Sequence, residues 1–140
     1  MKRVEFVVDG EPQGKGRPRF SKAGGFTRTY TPKKTADYEC RIRNAYTEQC
    51  EGYFFNEESN ISLRIIAGFS IAKSKSKNIR QQMINKDLLP KKKPDADNII
   101  KIVADALNGV AYKDDKQITE CQIKKIYSIE PYIYVILEAY

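Results

Sequence analysis

The sequence predicts an α+β fold: a single domain in which a mixed four-stranded sheet is packed by two helices, in the order β-α-β-α-β-β. Three observations lead there. Four segments, near residues 3–8, 61–69, 117–127 and 132–139, alternate apolar and polar residues with the period of a half-buried strand. Two others, 32–49 and 97–107, repeat apolar residues at helical spacing and carry helix start and stop residues. The 140 residues contain no repeat or linker, and a chain of that length buries roughly two-thirds of its unfolded surface as one unit.

In the first strand Val4, Phe6 and Val8 share a face, and Asp9-Gly10 is a turn pair. The loop DGEPQGKGRPRF follows, and then SKAGGFTRTY, readable as a loop or a small hairpin around Gly24-Gly25. Phe20, Phe26 and Tyr30 interleave with Arg17, Arg19 and Arg28, a composition that suits either aromatic contacts to bases or anchoring of the loop by packing. Thr31 as N-cap and Pro32 at the first helical position predict a helix to about Gln49, with Tyr38, Ile42 and Ala45 on one side and Gly52 as the stop. Lys33 and Lys34 fall in its first turn, where the dipole disfavours cations and phosphate is attracted.

Ile61, Leu63, Ile65, Ala67 and Phe69 define the next strand. Ser70 to Pro90 is polar, with SKSK and a short helical pattern around Lys77 to Ile84; it reads as a basic flap ordered mainly when ligand is present. Asp97 to Leu107 is the second helix, with a wide apolar side and Asn108-Gly109 as its end. In the first of the last two strands the phase slips between Ile118 and Cys121, which predicts a bulge or a late start. The turn at Ile129-Glu130-Pro131 predicts that these strands form an antiparallel pair.

Composition excludes several chemistries. No run approaches the roughly 18 apolar residues of a membrane span, and MKRVEFVVDGEP lacks a signal-peptide core, so a cytoplasmic protein is expected. Three cysteines without CxxC spacing and no histidine rule out a zinc ribbon and all His-based catalysis; small, reduced, buried cysteines are expected. The net charge of +7 is concentrated in two places. From Pro12 to Ala36 there are seven basic residues and no acid: Lys15, Arg17, Arg19, Lys22, Arg28, Lys33 and Lys34. The second cluster holds Lys73, Lys75, Lys77, Arg80, Lys86, Lys91, Lys92 and Lys93, opposed only by Asp87. Two such segments point to a polyanionic partner, in which Lys15, Arg17, Arg19, Arg28, Lys33, Lys73, Lys75, Lys77 and Lys91 to Lys93 contact phosphate.

Against this basic background KKKPDADNIIKIVADALNGVAYKDD carries five aspartates. Asp95 and Asp97, on extended backbone, project to one side, a spacing suited to a shared divalent ion. Asp97, Lys101 and Asp105 follow at i, i+4 and i+8 on one helical face, and Asp114-Asp115 returns at the start of a strand. Hard oxygen ligands select Mg²⁺ or Mn²⁺ and suit phosphodiester chemistry. Each acid also has a plain reading: Asp95 or Asp97 as a helix cap, Asp114-Asp115 as a turn, Asp105 as an ion pair. Chemistry alone does not separate nuclease from polymerase or phosphotransferase. A silent DNA-binding protein gains nothing from five acids beside its phosphate surface, and a nucleotide cofactor is disfavoured by the lack of a GxxxxGK loop.

DADNIIKIVADALNG followed by YKDDKQI resembles the signature of the RusA family of Holliday-junction resolvases: Asp-x-Asp-Asn, a lysine one turn later, Asp-Ala-Leu, then Asp-Asp-x-Gln at the next strand. GKGRPRF and RTYTP resemble its phage and Firmicute branch, and the similarity runs from about Val4 to Leu137, the whole of 1–140 forming one such domain. The resemblance implies a small homodimeric Mg²⁺-dependent endonuclease, often prophage-encoded, that resolves four-way DNA junctions in recombination and repair. It implies Asp95, Asp97 and Asp115 as metal-binding catalytic acids, Lys101 as the catalytic-site lysine, Asp114 as a secondary acid and Asp105 as structural support. It also places Arg17, Arg19 and Lys91 to Lys93 at the DNA. Nucleases for other branched or flap DNA share this chemistry. The Ser70 to Pro90 segment is longer and more lysine-rich than in the compact members.

Overall fold

The computed structural model describes residues 2–25 and 27–140, leaving aside the side chains of Arg19 and Ala23. Strand β1 (Arg3–Asp9) leads through a loop to a short hairpin, β2 (Arg19–Ser21) and β3 (Arg28–Tyr30). Helix α1 (Lys33–Gln49), β4 (Ile61–Ser70), α2 (Lys77–Ile84), α3 (Ala96–Ala106), β5 (Ile118–Ser128) and β6 (Tyr132–Ala139) follow. The single α+β domain and its mixed four-stranded sheet are as the sequence predicts, and the small hairpin and short helical pattern that it allows are present as β2–β3 and α2.

Sheet order is β1-β6-β4-β5, antiparallel except for the parallel β4–β5 pair. Val4, Phe6 and Val8 of β1, Ile133, Val135 and Leu137 of β6 and the alternate residues of β4 form one buried face. Tyr38, Ile42 and Tyr46 of α1 and Ile99, Ile102, Val103 and Ala106 of α3 complete the core, with Phe6 and Tyr46 edge to face at 5.5 Å. Each large apolar side chain among these contributes about 1.5–3 kcal/mol on burial, so this face sets how both helices lie.

The last two strands differ from expectation. They run antiparallel but are not neighbours: β6 lies between β1 and β4, and β5 lies on the far side of β4. The turn fixes direction only; hydrophobicity fixes position. β6, YIYVILEA, buries Ile133, Val135 and Leu137 completely and takes a central place. β5, with Glu120, Lys124 and Lys125, suits an edge, where charge blocks further pairing. Ile129-Glu130-Pro131 therefore crosses the end of β4, where Gly68 makes room: a Cβ there would lie 2.6 Å from the Tyr132 ring and 3.2 Å from the Ser128 Cβ. The expected irregularity in β5 is present, because Ile61 faces Ile118 and Ser62 faces Glu120, leaving Thr119 as the extra residue.

The free edge of β1 is covered by Gln49, whose side-chain amide accepts from the Val7 N–H (2.9 Å) and donates to the Val7 carbonyl (2.8 Å). Helix α1 begins one residue later than expected. Pro32 is its N-cap and Thr31 does not cap; the hydroxyl that is used is that of Thr35, which accepts from the Gly16 N–H at 3.0 Å. Helix α2 is capped by Ser76 and buries Met83. Cys50 is buried, but Cys40 and Cys121 are exposed, against the expectation of three buried thiols. Among the described residues no helix is long and apolar enough to cross a membrane.

Gly68→Ala is expected to destabilise the domain by about 1–3 kcal/mol by overpacking the crossing, read as a lower urea midpoint. Adding Tyr132→Ala should recover part of the loss.

Candidate active site

The start of α3 is held by the loop that follows β1. The Lys15 N–H donates to the Asn98 carbonyl at 3.1 Å. Gly14 lies so close to this helix that a Cβ would meet the Asn98 Cβ at 2.9 Å and the Pro94 Cβ at 3.0 Å. Gly16 packs still more tightly against α1, where a Cβ would overlap the Thr35 Oγ1. The loop is thus fastened to the first turns of both helices. Between them lies a groove of about 930 Å³ that brings Arg17, Lys34 and Lys93 together with Asp95 and Asn98.

Asp95 is the N-cap of α3, yet its carboxylate makes no capping hydrogen bond. Asp97 is already helical, so the pair does not lie on extended backbone as expected. A first-turn acid is favoured by the helix dipole. Among the described residues neither carboxylate has a hydrogen-bonded or ion-paired partner, and both are exposed. Lys101 is exposed and pairs with Asp105 at 3.7 Å, while Asp105 also receives Lys15 at 3.3 Å. Lys15 in turn is bound by Glu39 at 2.8 Å. It is a half-buried tie between segments that also lines the groove, and two carboxylates engage it where the sequence reading places a phosphate contact.

The two aspartates of the returning pair have different surroundings. Asp114 caps a 3₁₀ turn (Asp115–Gln117): its carboxylate accepts from the Lys116 N–H at 2.9 Å, which holds its pKa below the usual range. The Asp115 N–H donates to the Asn108 side chain at 2.8 Å, leaving the carboxyl half-buried. Burial first, then Asp114 and the nearby Asp105, push its pKa up against the lowering effect of Asn108. Burial also raises the pKa of Tyr112, whose hydroxyl donates to the Ala104 carbonyl and feels the charges of Asp115 and Asp105. Asp105 of the helical face is thus near enough to the DD turn for its charge to act on Asp115.

Gln117 fixes this turn. Its buried amide accepts from the N–H groups of Lys113 (3.2 Å) and Asp114 (3.4 Å) and donates to the carbonyls of Asn56 (2.9 Å) and Ser59 (3.5 Å). The DDxQ spacing marks this residue in the sequence. Glu39 carries no such signal, because its partner Lys15 lies 24 positions away.

The remaining basic residues disperse. Lys93 lines the groove, Lys91 borders a separate hollow with Met83 and Leu88, and Lys92 lies over the Phe69 and Tyr127 rings at 5.7 Å. Lys33 lines a neighbouring hollow of about 530 Å³ with Asp37 and Arg41. Lys73, Lys75 and Lys77 are exposed before and at the start of α2, and Arg28 is exposed on β3. Phe20 (70% exposed) and Tyr30 (49%) on the hairpin do not anchor it by packing. The Arg19 side chain and Phe26 lie outside the described residues.

An oxygen-only donor set suits a hard divalent cation. Among the described residues no three acidic or cysteine side chains converge into a group able to hold one.

The sequence matches the family described as Endodeoxyribonuclease RusA over residues 9–138. It is 30% identical over 137 residues to the uncharacterized protein YqaN of Bacillus subtilis (strain 168), covering 98% of this chain and 96% of that protein.

Gln117→Leu is expected to cost about 1–3 kcal/mol, since it removes the buried amide that ties the N–H groups of Lys113 and Asp114 to the carbonyls of Asn56 and Ser59; urea unfolding measures it. Asp115 has a raised folded pKa, so its favourable contribution is present below the unfolded carboxylate range and is lost as pH rises through the folded value. Asp115→Asn should therefore raise the melting temperature at neutral pH, the gain shrinking as pH falls into the carboxylate range.

Proposed function

This chain belongs to the RusA family of endodeoxyribonucleases, and from that membership we propose a Mg²⁺-dependent, structure-selective endonuclease that resolves four-way DNA junctions. Membership carries a resolvase-type nuclease in general; the metal, the junction and the dimer are the finer reading. One observation supports it most. Asp95, whose carboxylate is not used in capping, lies in the same groove as Arg17, Lys34 and Lys93, so a phosphodiester drawn in by the cations lies beside the acid.

In this reading the whole of 1–140 is the nuclease domain. Asp95, Asp97 and Asp115 would hold Mg²⁺ (or Mn²⁺), with Asp114 a lesser contributor because its carboxylate caps a turn. When bound, the ion supplies Lewis-acid stabilisation of phosphoryl charge and lowers the pKa of water. Lys101 neutralises charge on the non-bridging oxygens. Water forms the new bond to phosphorus as the bond to the 3′ oxygen breaks, leaving 5′-phosphate and 3′-hydroxyl ends. Arg17, Arg19, Arg28, Lys33, Lys73, Lys75, Lys77 and Lys91 to Lys93, with Lys34 of the groove, hold neighbouring phosphates, and affinity falls steeply with salt. A C₂ homodimer places one site on each of two opposed strands, matching the approximate two-fold symmetry of the junction.

The test compares labelled four-way junction, duplex and flap with Mg²⁺ and with EDTA. Paired, symmetric, Mg²⁺-dependent nicks in the junction are expected, and Asp97→Asn should reduce cleavage at least a thousandfold while junction binding persists. Absence of cleavage on every substrate would sink the enzymatic reading. Preferential flap cleavage would move it to other branched DNA.

A further inference from the structure

Four charged side chains from three segments form an alternating row: Glu39 on α1, Lys15 in the loop, then Asp105 and Lys101 on α3. Their separations lengthen along the row, at 2.8, 3.3 and 3.7 Å. Exposure of the side chains rises in the same order, 12%, 19%, 23% and 61%. The inner pairs are therefore well formed and the outermost one is loose. Burial alone would lower the Lys15 pKa, yet Glu39 and Asp105 together raise it, so its charge is retained. The N–H of the same residue is bound to Asn98.

Lys101 stands one turn from two acids, with Asp97 four residues before it and Asp105 four after. An acid N-terminal to its lysine is the better arrangement on a helix, so Asp97 is the intrinsically favoured partner. Lys101 nevertheless rests on Asp105, at 3.7 Å, and Lys15 holds that same Asp105 oxygen more closely, at 3.3 Å. A carboxylate shared between two ammonium groups attracts each less than it would one alone.

We propose that Lys15 is a positioning residue for Lys101: by occupying Asp105 it leaves the Lys101 ammonium free to move toward Asp97 and the reacting phosphate. The proposal rests on the nuclease reading above. Without Lys15, Asp105 has one partner and holds Lys101 at the wrong end of the helix. Glu39 acts in the opposite sense, drawing Lys15 away from Asp105. Arg17, two residues on, lines the same groove as Lys15 but is exposed and among the described residues has no ion-paired partner, so the phosphate contact of this loop is assigned to it.

The full-length protein tests this through single-turnover junction cleavage at saturating enzyme, together with junction binding in EDTA across a salt series. Lys15→Met should slow cleavage tenfold or more while the binding constant and its salt slope stay unchanged, and Lys15→Arg should restore most of the rate. Adding Asp105→Asn to Lys15→Met should recover at least threefold, because a neutral amide no longer holds Lys101. Glu39→Gln should keep or raise the rate. A lysine that instead grips phosphate would change the slope of log K against log salt by about 0.9 and leave the saturated rate intact, overturning the proposal. So would a double variant as slow as Lys15→Met, or a Glu39→Gln rate as low as that of Lys15→Met, the signature of a row that only holds the fold. Lack of cleavage by the unaltered protein would overturn the nuclease reading itself, whereas normal cleavage by a folded Lys15→Met would overturn the positioning role alone.

Discussion

Helix α3 has to bury Ile99, Ile102, Val103 and Ala106 under the sheet, and most of the site's geometry follows from that. Each of these side chains contributes on the order of 1–3 kcal/mol, whereas an exposed ion pair contributes at most about 1. Apolar burial therefore decides the rotation of the helix, and the charges take what remains. The polar stripe of Asp97, Lys101 and Asp105 emerges where α1 and the Gly14–Gly16 loop approach. Gly14 and Gly16 allow this approach because any side chain there would collide with a helix start.

The acids then divide by local chemistry. Asp114 is held by a backbone N–H and caps a turn, so it is a structural carboxylate first. Asp115 is half-buried near two other acids, an arrangement that costs stability and that a cation would relieve. Among the described residues, Asp95 and Asp97 have no partner for their carboxylates at the positive end of α3. Asp105 lies between the helical stripe and the turn and is shared by two lysines. The family resemblance implies a supporting role for it, and its carboxylate is the one against which Lys101 rests.

Much of this was legible in the residue pattern. Val4, Phe6 and Val8 gave the face of β1, the Ser70–Pro90 segment its short helix at Lys77–Ile84, and Ile118 to Cys121 its irregularity. The same pattern misled where a local signal has a nonlocal outcome. The Ile129–Pro131 turn indicated antiparallel direction, but nothing nearby says that β4 passes between the strands it joins. Lys91, Lys92 and Lys93 read as one basic cluster, yet their side chains reach a hollow, two aromatic rings and the groove. Thr31 reads locally as the cap, but Pro32 takes that position and the hydroxyl in use is that of Thr35, which accepts from the Gly16 N–H of a loop far back in the chain.

The sequence by itself determined the fold class, the two long helices, the four strands and the DxD–Lys–DD constellation. Each of these depends on periodicity or spacing within one segment. Tertiary structure decided which strands touch, which of the five aspartates remain free, and whether a lysine in a basic loop faces solvent or carboxylates. Those outcomes depend on distances between residues far apart in the chain, such as Lys15 with Glu39 and Asp105, and no local pattern encodes them. They are settled only when the apolar faces have packed and fixed where the charged side chains must lie.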